Sequence, residues 1–222
     1  NYLLAQGRKV GLVKVRLYRP FAPEALKAVI PSTVKRIAAL DRTKEPGALG
    51  DPLYMDIRTM YYRDPKAPEV YGGRYGLGSK DTTPGQIIAV YDNLDQAEPK
   101  DQFTIGINDD VTFTSLPVKP EISISDKGIF EAKFYGLGSD GTVGANKNSI
   151  KIIGDLTDNY AQGYFVYDSK KAGAKTVSHL RFGKNIIRRP YLIRQADFVA
   201  CHNPSFVEKY DMLANVKQGG TF

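Results

Sequence analysis

Residues 130–153, FEAKFYGLGSDGTVGANKNSIKII, read as a strand, a glycine turn and a helix. Phe130, Ala132 and Phe134 alternate with Glu131, Lys133 and Tyr135, as in a half-buried strand. Gly136-Leu137-Gly138-Ser139-Asp140-Gly141 then fits G-x-G-x-x-G. In such a turn the first glycine allows a tight bend, the second lets a phosphate approach the backbone, and the third lets helix and strand pack closely. The helix that follows begins with unpaired N–H groups and a partial positive charge, which suits an anion. Walker A is excluded: Lys147 is preceded by Asn146 and followed by Asn148, not by glycine and Ser or Thr.

Working outward, Asn146 and Lys147 follow Val143 by three and four residues, on the helix face that continues to Ile150. Polar groups there call for a partner, either a ligand phosphate or a neighbouring domain; the alternative is a solvated helix shoulder. The next strand ends in Tyr167-Asp168-Ser169-Lys170-Lys171. In Rossmann units an acid at this place holds a ribose hydroxyl and nearby basic residues accept a ribose phosphate. Asp168 lies beyond the usual spacing, so Ser169, Lys170 and Lys171 point to a phosphorylated ribose. NADP and coenzyme A both carry one, and spacing does not separate them. His179 and Arg181 share a strand face and read as structural, with an anion contact as the alternative. Cys201 and His202 are not a catalytic pair, because neighbouring strand residues point apart; Cys201 reads as a small buried residue. No paired acids, metal-spaced ligands or nucleophile elbow stand out.

Before the glycine turn, strands Val10–Tyr18, Val34–Leu40, Val70–Leu77 and Phe103–Ile107 alternate with helices Pro23–Ile30, Leu53–Tyr62 and Thr83–Leu94, the last opened by a threonine N-cap and a proline. Leu116–Asp126, with two prolines, reads as a boundary. After the helix come strands Ala161–Tyr167, Thr176–Phe182 and Phe198–Ala200, a helix Pro204–Leu213, and a final strand opening at Gly219. The class is α/β: two mostly parallel-sheet units, the second Rossmann-like. Net charge is +7 in 222 residues, which favours anionic partners, but no run of five basic residues points to nucleic acid. No apolar stretch approaches the roughly 18 residues of a membrane span. One cysteine excludes a disulfide framework or a four-cysteine cluster within the chain, and a reducing cytoplasm is the expected compartment. The first and last residues look like the end of a helix and the start of a strand, so the chain reads as a fragment.

Several stretches together closely resemble pyruvate:ferredoxin (flavodoxin) oxidoreductase: LDRTKEPGALGDPLYMD, FTIGINDDVTFTSLP, YGLGSDGTVGANKNSIKIIGD, GYFVYDSKKAG with TVSHLRFG, and ADFVACHNPSFVEKYDML. The resemblance runs from Val10 to Phe222. It implies an enzyme that oxidatively decarboxylates pyruvate with thiamine diphosphate, Mg2+ and [4Fe–4S] clusters, passes the acetyl group to coenzyme A, and reduces ferredoxin or flavodoxin. It implies a transketolase-C-terminal-like domain over residues 1–116 and a gamma-like, coenzyme A-contacting domain over 117–222. Carried over by motif, Gly138, Ser139, Asp140, Gly141, Thr142 and Lys170 would contact coenzyme A. The family's cysteine-rich insert and thiamine-binding domains are not in this chain. Alone it is therefore expected to be inactive; the full-length enzyme is expected to be a homodimer. The alternative is a free-standing nucleotide-binding module, foremost for NADP.

Overall fold

The computed structural model describes residues 1–119, 122, 124, 128–168 and 173–222. They divide into two compact units, Asn1–Ile122, which opens on the short helix α1 (Tyr2–Ala5), and Ser123–Phe222.

In the first unit, β1 (Arg36–Asp41), β2 (Glu69–Arg74) and β3 (Phe103–Thr104) form a parallel sheet in the order β1-β2-β3. Helix α3 (Pro52–Met60) packs Tyr54 and Ile57 against Ala39. Helix α4 (Pro84–Leu94) packs Ala89 and Val90 with Phe103, Ile105 and Leu116, beside Ala38 and Leu40. Since successive strand residues face opposite ways, the two helices cover opposite faces of the sheet. Thr83 closes a capping box on α4: its hydroxyl accepts the Gln86 N–H at 3.3 Å, and Gln86 Oε1 accepts the Thr83 N–H at 3.1 Å. The loop from Asp41 to Asp51 is pinned by buried carboxylates rather than simply solvated. Asp41 accepts the Leu53 and Tyr54 N–H groups at 3.0 and 3.1 Å, and Asp51 pairs with Arg74 at 2.6 Å.

The expected strand Val10–Tyr18 is not one. It carries no regular structure, and Leu12 and Leu17 are exposed. Side chains fix its ends instead: Arg8 on Asp92 and Asp95, Tyr91 on the Gly11 carbonyl, and Tyr18 and Arg19 on Asp56. High β-propensity does not supply the neighbouring edge that a strand's N–H and C=O groups need. Pro20 follows, and then helix α2 (Pro23–Val29), as expected from its first-turn proline.

The second unit is a five-stranded sheet in the order β5-β6-β4-β7-β8, built from β4 (Ile129–Leu137), β5 (Tyr160–Tyr167), β6 (Lys175–Gly183), β7 (Ala196–Cys201) and β8 (Val216–Thr221). Helix α5 (Thr142–Leu156) follows β4 and packs on β5, β6 and β4. The α/β reading holds. Parallel pairing joins β4, β7 and β8, whereas β6 is antiparallel to both β4 and β5. The connection from β5 to β6 is too short for a parallel crossover, so β6 turns back and inserts between β4 and β5. The helix expected at Pro204–Leu213 is replaced by short 3-10 turns at Pro204–Phe206 and Leu213–Asn215. Asn203 and Asp211 capture the Ser205 and Ala214 N–H groups, and such side-chain bonds compete with helix propagation.

The alternation in β4 is real, but the strand is covered on both faces: Ala132 is 2% exposed on one, and the charged residues are buried on the other. Glu131, Lys133 and Tyr135 are 5–7% exposed, while Phe130 is 41% exposed. Charge pairing makes this possible. Glu131 lies 2.8 Å from Arg181 Nε, 3.4 Å from Arg189 Nη1 and 3.2 Å from Lys217 Nζ. Lys217 also meets Asp197 at 3.0 Å, and Asp197 accepts the Glu131 N–H at 2.8 Å. Next along β4, Lys133 bonds Asn215; burial, with Lys175 and Arg194 adding to it, pushes its pKa down to about 8. His179 faces Lys133 across the sheet and accepts the Ile193 N–H at 3.1 Å. Burial, then the charges of Lys133 and Arg181, lowers its pKa to about 3. This is the structural histidine expected from sequence.

Two outcomes follow for the chain. Glu131→Gln leaves Arg181 and Arg189 buried without their carboxylate and should cost about 3–5 kcal/mol in urea unfolding. His179 gains its proton near pH 6.5 when unfolded and near 3 when folded. Its contribution is therefore complete above about pH 6.5 and is lost on acidification towards pH 3, with a slope approaching about 1.4 kcal/mol per pH unit. Urea midpoints measured from pH 7 to pH 4 should fall less steeply in His179→Gln.

Candidate functional site

The turn after β4 is organised by Asp140. Its carboxylate accepts the Leu137 N–H at 2.7 Å and the Thr142 N–H at 2.8 Å, which draws the turn closed at the head of α5. Burial raises the Asp140 pKa, but the Thr142 and Leu137 N–H groups outweigh it and hold the carboxyl below its ordinary value. Gly136 has no room for a side chain, since a Cβ there would collide with Thr142 Oγ1 and Asp140 Oδ2. Gly141 precedes α5 with φ +86°, a left-handed conformation that glycine adopts without strain. Helix geometry leaves the Val143 and Gly144 N–H groups without intrahelical acceptors, directed out of the helix head.

Two other segments meet this turn. The Gly138 N–H donates to the Ala174 carbonyl at 2.9 Å, and the Asp168 N–H to the Lys175 carbonyl at 3.2 Å. The β6 end of the β5–β6 connection therefore lies beside the glycine turn, and the second bond closes the β5–β6 pair. On the other side, the His202 N–H donates to the Tyr135 carbonyl at 2.9 Å, and His202 Nδ1 lies 2.8 Å from Thr142 Oγ1.

Of the residues expected to contact coenzyme A, Gly138, Ser139, Asp140 and Gly141 are exposed on the turn, and Thr142 is buried beneath it. Lys170 lies outside the described residues, as do Ser169 and Lys171. Asn146 finds its partner within the helix: its Nδ2 donates to the Thr142 carbonyl at 2.9 Å, so it does not wait for a ligand. Lys147 is the solvated shoulder, its Nζ 5.5 Å from the centre of the Phe165 ring. Cys201 and His202 point apart as expected. Cys201 packs against the core cluster of Tyr135, Val177 and Val199, whereas His202 reaches α5. The place of His202 was not legible, because its partner Thr142 lies 60 residues away in the chain.

Residues 131–222 match the family described as pyruvate ferredoxin/flavodoxin oxidoreductase, and residues 1–87 match pyruvate:ferredoxin oxidoreductase core domain II. The chain is 63% identical, over its whole length, to a pyruvate:ferredoxin oxidoreductase of Moorella thermoacetica, and covers 19% of that protein. The chain belongs to the pyruvate:ferredoxin/flavodoxin oxidoreductase family. A pyruvate-flavodoxin oxidoreductase of Trichormus variabilis is 60% identical over the whole chain, and a probable one of Escherichia coli K12 is 54% identical over 99% of it; the chain spans 19% of each. Among the described residues, no helix is long and apolar enough to cross a membrane and no group of three or more His, Cys, Asp or Glu is placed to hold a metal ion.

The role of Asp140 in closing the turn sets a stability effect. Asp140→Ala should lower the unfolding free energy by about 1 kcal/mol at pH 7, at the low end for a capping carboxylate because the group is open to solvent. The carboxyl is held below its ordinary value, so this contribution is complete above about pH 4 and lost as pH falls further. Urea unfolding of wild type and variant should therefore converge on acidification.

Proposed function

We propose that the chain is part of an enzyme that oxidatively decarboxylates pyruvate to acetyl-CoA and CO2 and reduces ferredoxin or flavodoxin, and that this part helps to bind coenzyme A and packs against sister domains. The observation that carries the reading is a glycine turn at the head of a 15-residue helix, inside the segment that matches the oxidoreductase family. The binding residues are Gly138, Ser139, Asp140, Gly141, Thr142 and Lys170. Asp140 takes the Leu137 and Thr142 N–H groups and so acts by shaping the turn. The phosphate donors are then the N–H groups that follow at the head of α5, aided by the positive end of the helix dipole. Lys170 adds a point charge for a phosphate on the ribose.

The residues of this chain do not fit the family's redox groups. A [4Fe–4S] cluster needs four thiolates, and the only cysteine is Cys201, which is half-buried in an apolar cluster. Thiamine diphosphate, Mg2+ and the clusters belong to other domains of a full-length, cytoplasmic, homodimeric enzyme, and this portion performs no chemical step itself.

The test is calorimetric titration of coenzyme A into the full-length enzyme carrying Lys170→Ala. Loss of a charge-assisted phosphate contact should weaken binding by about 1.5–3 kcal/mol, or roughly ten- to hundred-fold. Unchanged affinity counts against the assigned site. A thermal shift produced by NADPH and not by coenzyme A would favour a dinucleotide module instead.

A further inference from the structure

Strands β4 and β7 are adjacent and parallel, and the chain leaves their C-terminal ends in opposite senses. From β4 it runs through α5 to β5, at one edge of the sheet. From β7 it runs through residues 202–215 to β8, at the other edge. The two connections also cover opposite faces. Helix α5 meets the face of Phe165, which pairs through Ser178 with Phe134, whereas Phe206 and Met212 pack on the face of Tyr135 and Val199. Divergence of this kind opens a crevice outside the carboxyl ends of the two strands, which is where open α/β sheets take their ligands. The glycine turn forms one wall of that crevice and the Cys201–Asn203 turn forms the other.

His202 is the side chain that joins the walls. Its backbone is tied to β4 through the Tyr135 carbonyl, its Nδ1 is 2.8 Å from Thr142 Oγ1, and its ring centre is 6.1 Å from that of Phe134. Despite these contacts the residue is exposed. One ring nitrogen is engaged with the first residue of α5, and Nε2 stands on the opposite edge of the imidazole. Nε2 carries a hydrogen when Nδ1 accepts the Thr142 hydroxyl proton and when the ring holds both protons, and an anion opposite Nε2 favours these two states over the one with the hydrogen on Nδ1 alone.

We propose that His202 is a binding residue in the second wall of this site, its Nδ1 locked to Thr142 and its Nε2–H donating to a phosphate oxygen of the ligand seated on the glycine turn. The inference rests on the coenzyme A reading above, and on the divergence of the two connections rather than on the helix terminus alone.

The experiment is calorimetric titration of coenzyme A and of dephospho-coenzyme A into the full-length enzyme, as wild type, His202→Ala, His202→Gln and Gly141→Val, with thermal unfolding of each. His202→Ala should weaken coenzyme A roughly ten- to hundred-fold, the effect of removing a donor to a charged group. His202→Gln, whose amide nitrogen reaches the place of Nε2, should recover most of that loss. An effect that persists with dephospho-coenzyme A assigns the pyrophosphate as the partner; one that disappears assigns the ribose phosphate. If Gly141→Val loses binding while His202→Ala matches wild type, His202 is not a contact and the coenzyme A reading stands. If the alanine and glutamine variants are equally weakened and equally less stable, the ring only holds the turn and the inference is overturned. If no substitution alters affinity, the coenzyme A reading itself fails.

Discussion

Glu131 is a carboxylate 5% exposed, set among Arg181, Arg189 and Lys217 on the inner face of a sheet. An unpaired charge in that position would be untenable, and the buried Arg181 and Arg189 would be similarly costly without it. Together with Asp197 they bring β4, β6, β8 and the segment at Arg189 into one arrangement. Arg181 also donates to the Tyr191 carbonyl, and Arg189 to that of Ile124, so the network ties loops as well as strands. The rest of the second unit depends on this constraint, because it fixes which side of the sheet each face of β4 meets. With Glu131 inward, Lys133 and Tyr135 are inward too, and Ala132, Phe134 and Gly136 meet the side covered by α5.

That choice of face bears on the site. Gly136 lies on the α5 side, where only a residue without a side chain leaves space for Thr142 and Asp140. The helix can then start hard against the strand, and its first N–H groups open at the sheet end where β7 also terminates. Insertion of β6 between β4 and β5 carries the β5–β6 connection to the same end, held there by the Gly138 to Ala174 bond. Three segments distant in sequence are thus gathered around one crevice by strand order and strand direction.

The strand–turn–helix unit was legible because its signals are local: period-two alternation, glycines at fixed offsets and a helix of adequate length. The Thr83 N-cap and the first-turn prolines of α2 and α4 were legible for the same reason. The burial of the charged face of β4 was not, since the partners that make it possible stand 50–86 residues further along. The Val10–Tyr18 segment failed in the complementary way: its composition suits a strand, but it pairs with neither edge of the β1-β2-β3 sheet and is tied down by side chains instead. Asn146 was expected to seek a ligand phosphate or a neighbouring domain and instead satisfies a carbonyl one turn back, a bond that sequence spacing allows but does not select.

The amino-acid sequence by itself determined the α/β class, the glycine turn at 136–141, the helix that follows and, through long specific motifs, the family. These depend on residues near one another in the chain, or on resemblance taken as a whole. Only the tertiary structure decided that β6 runs antiparallel between β4 and β5, that the charged face of β4 is buried as well as the apolar one, and that His202 meets Thr142. Each of these depends on pairing between distant residues, where the desolvation of a charge or a backbone group is offset by a partner that no local pattern names.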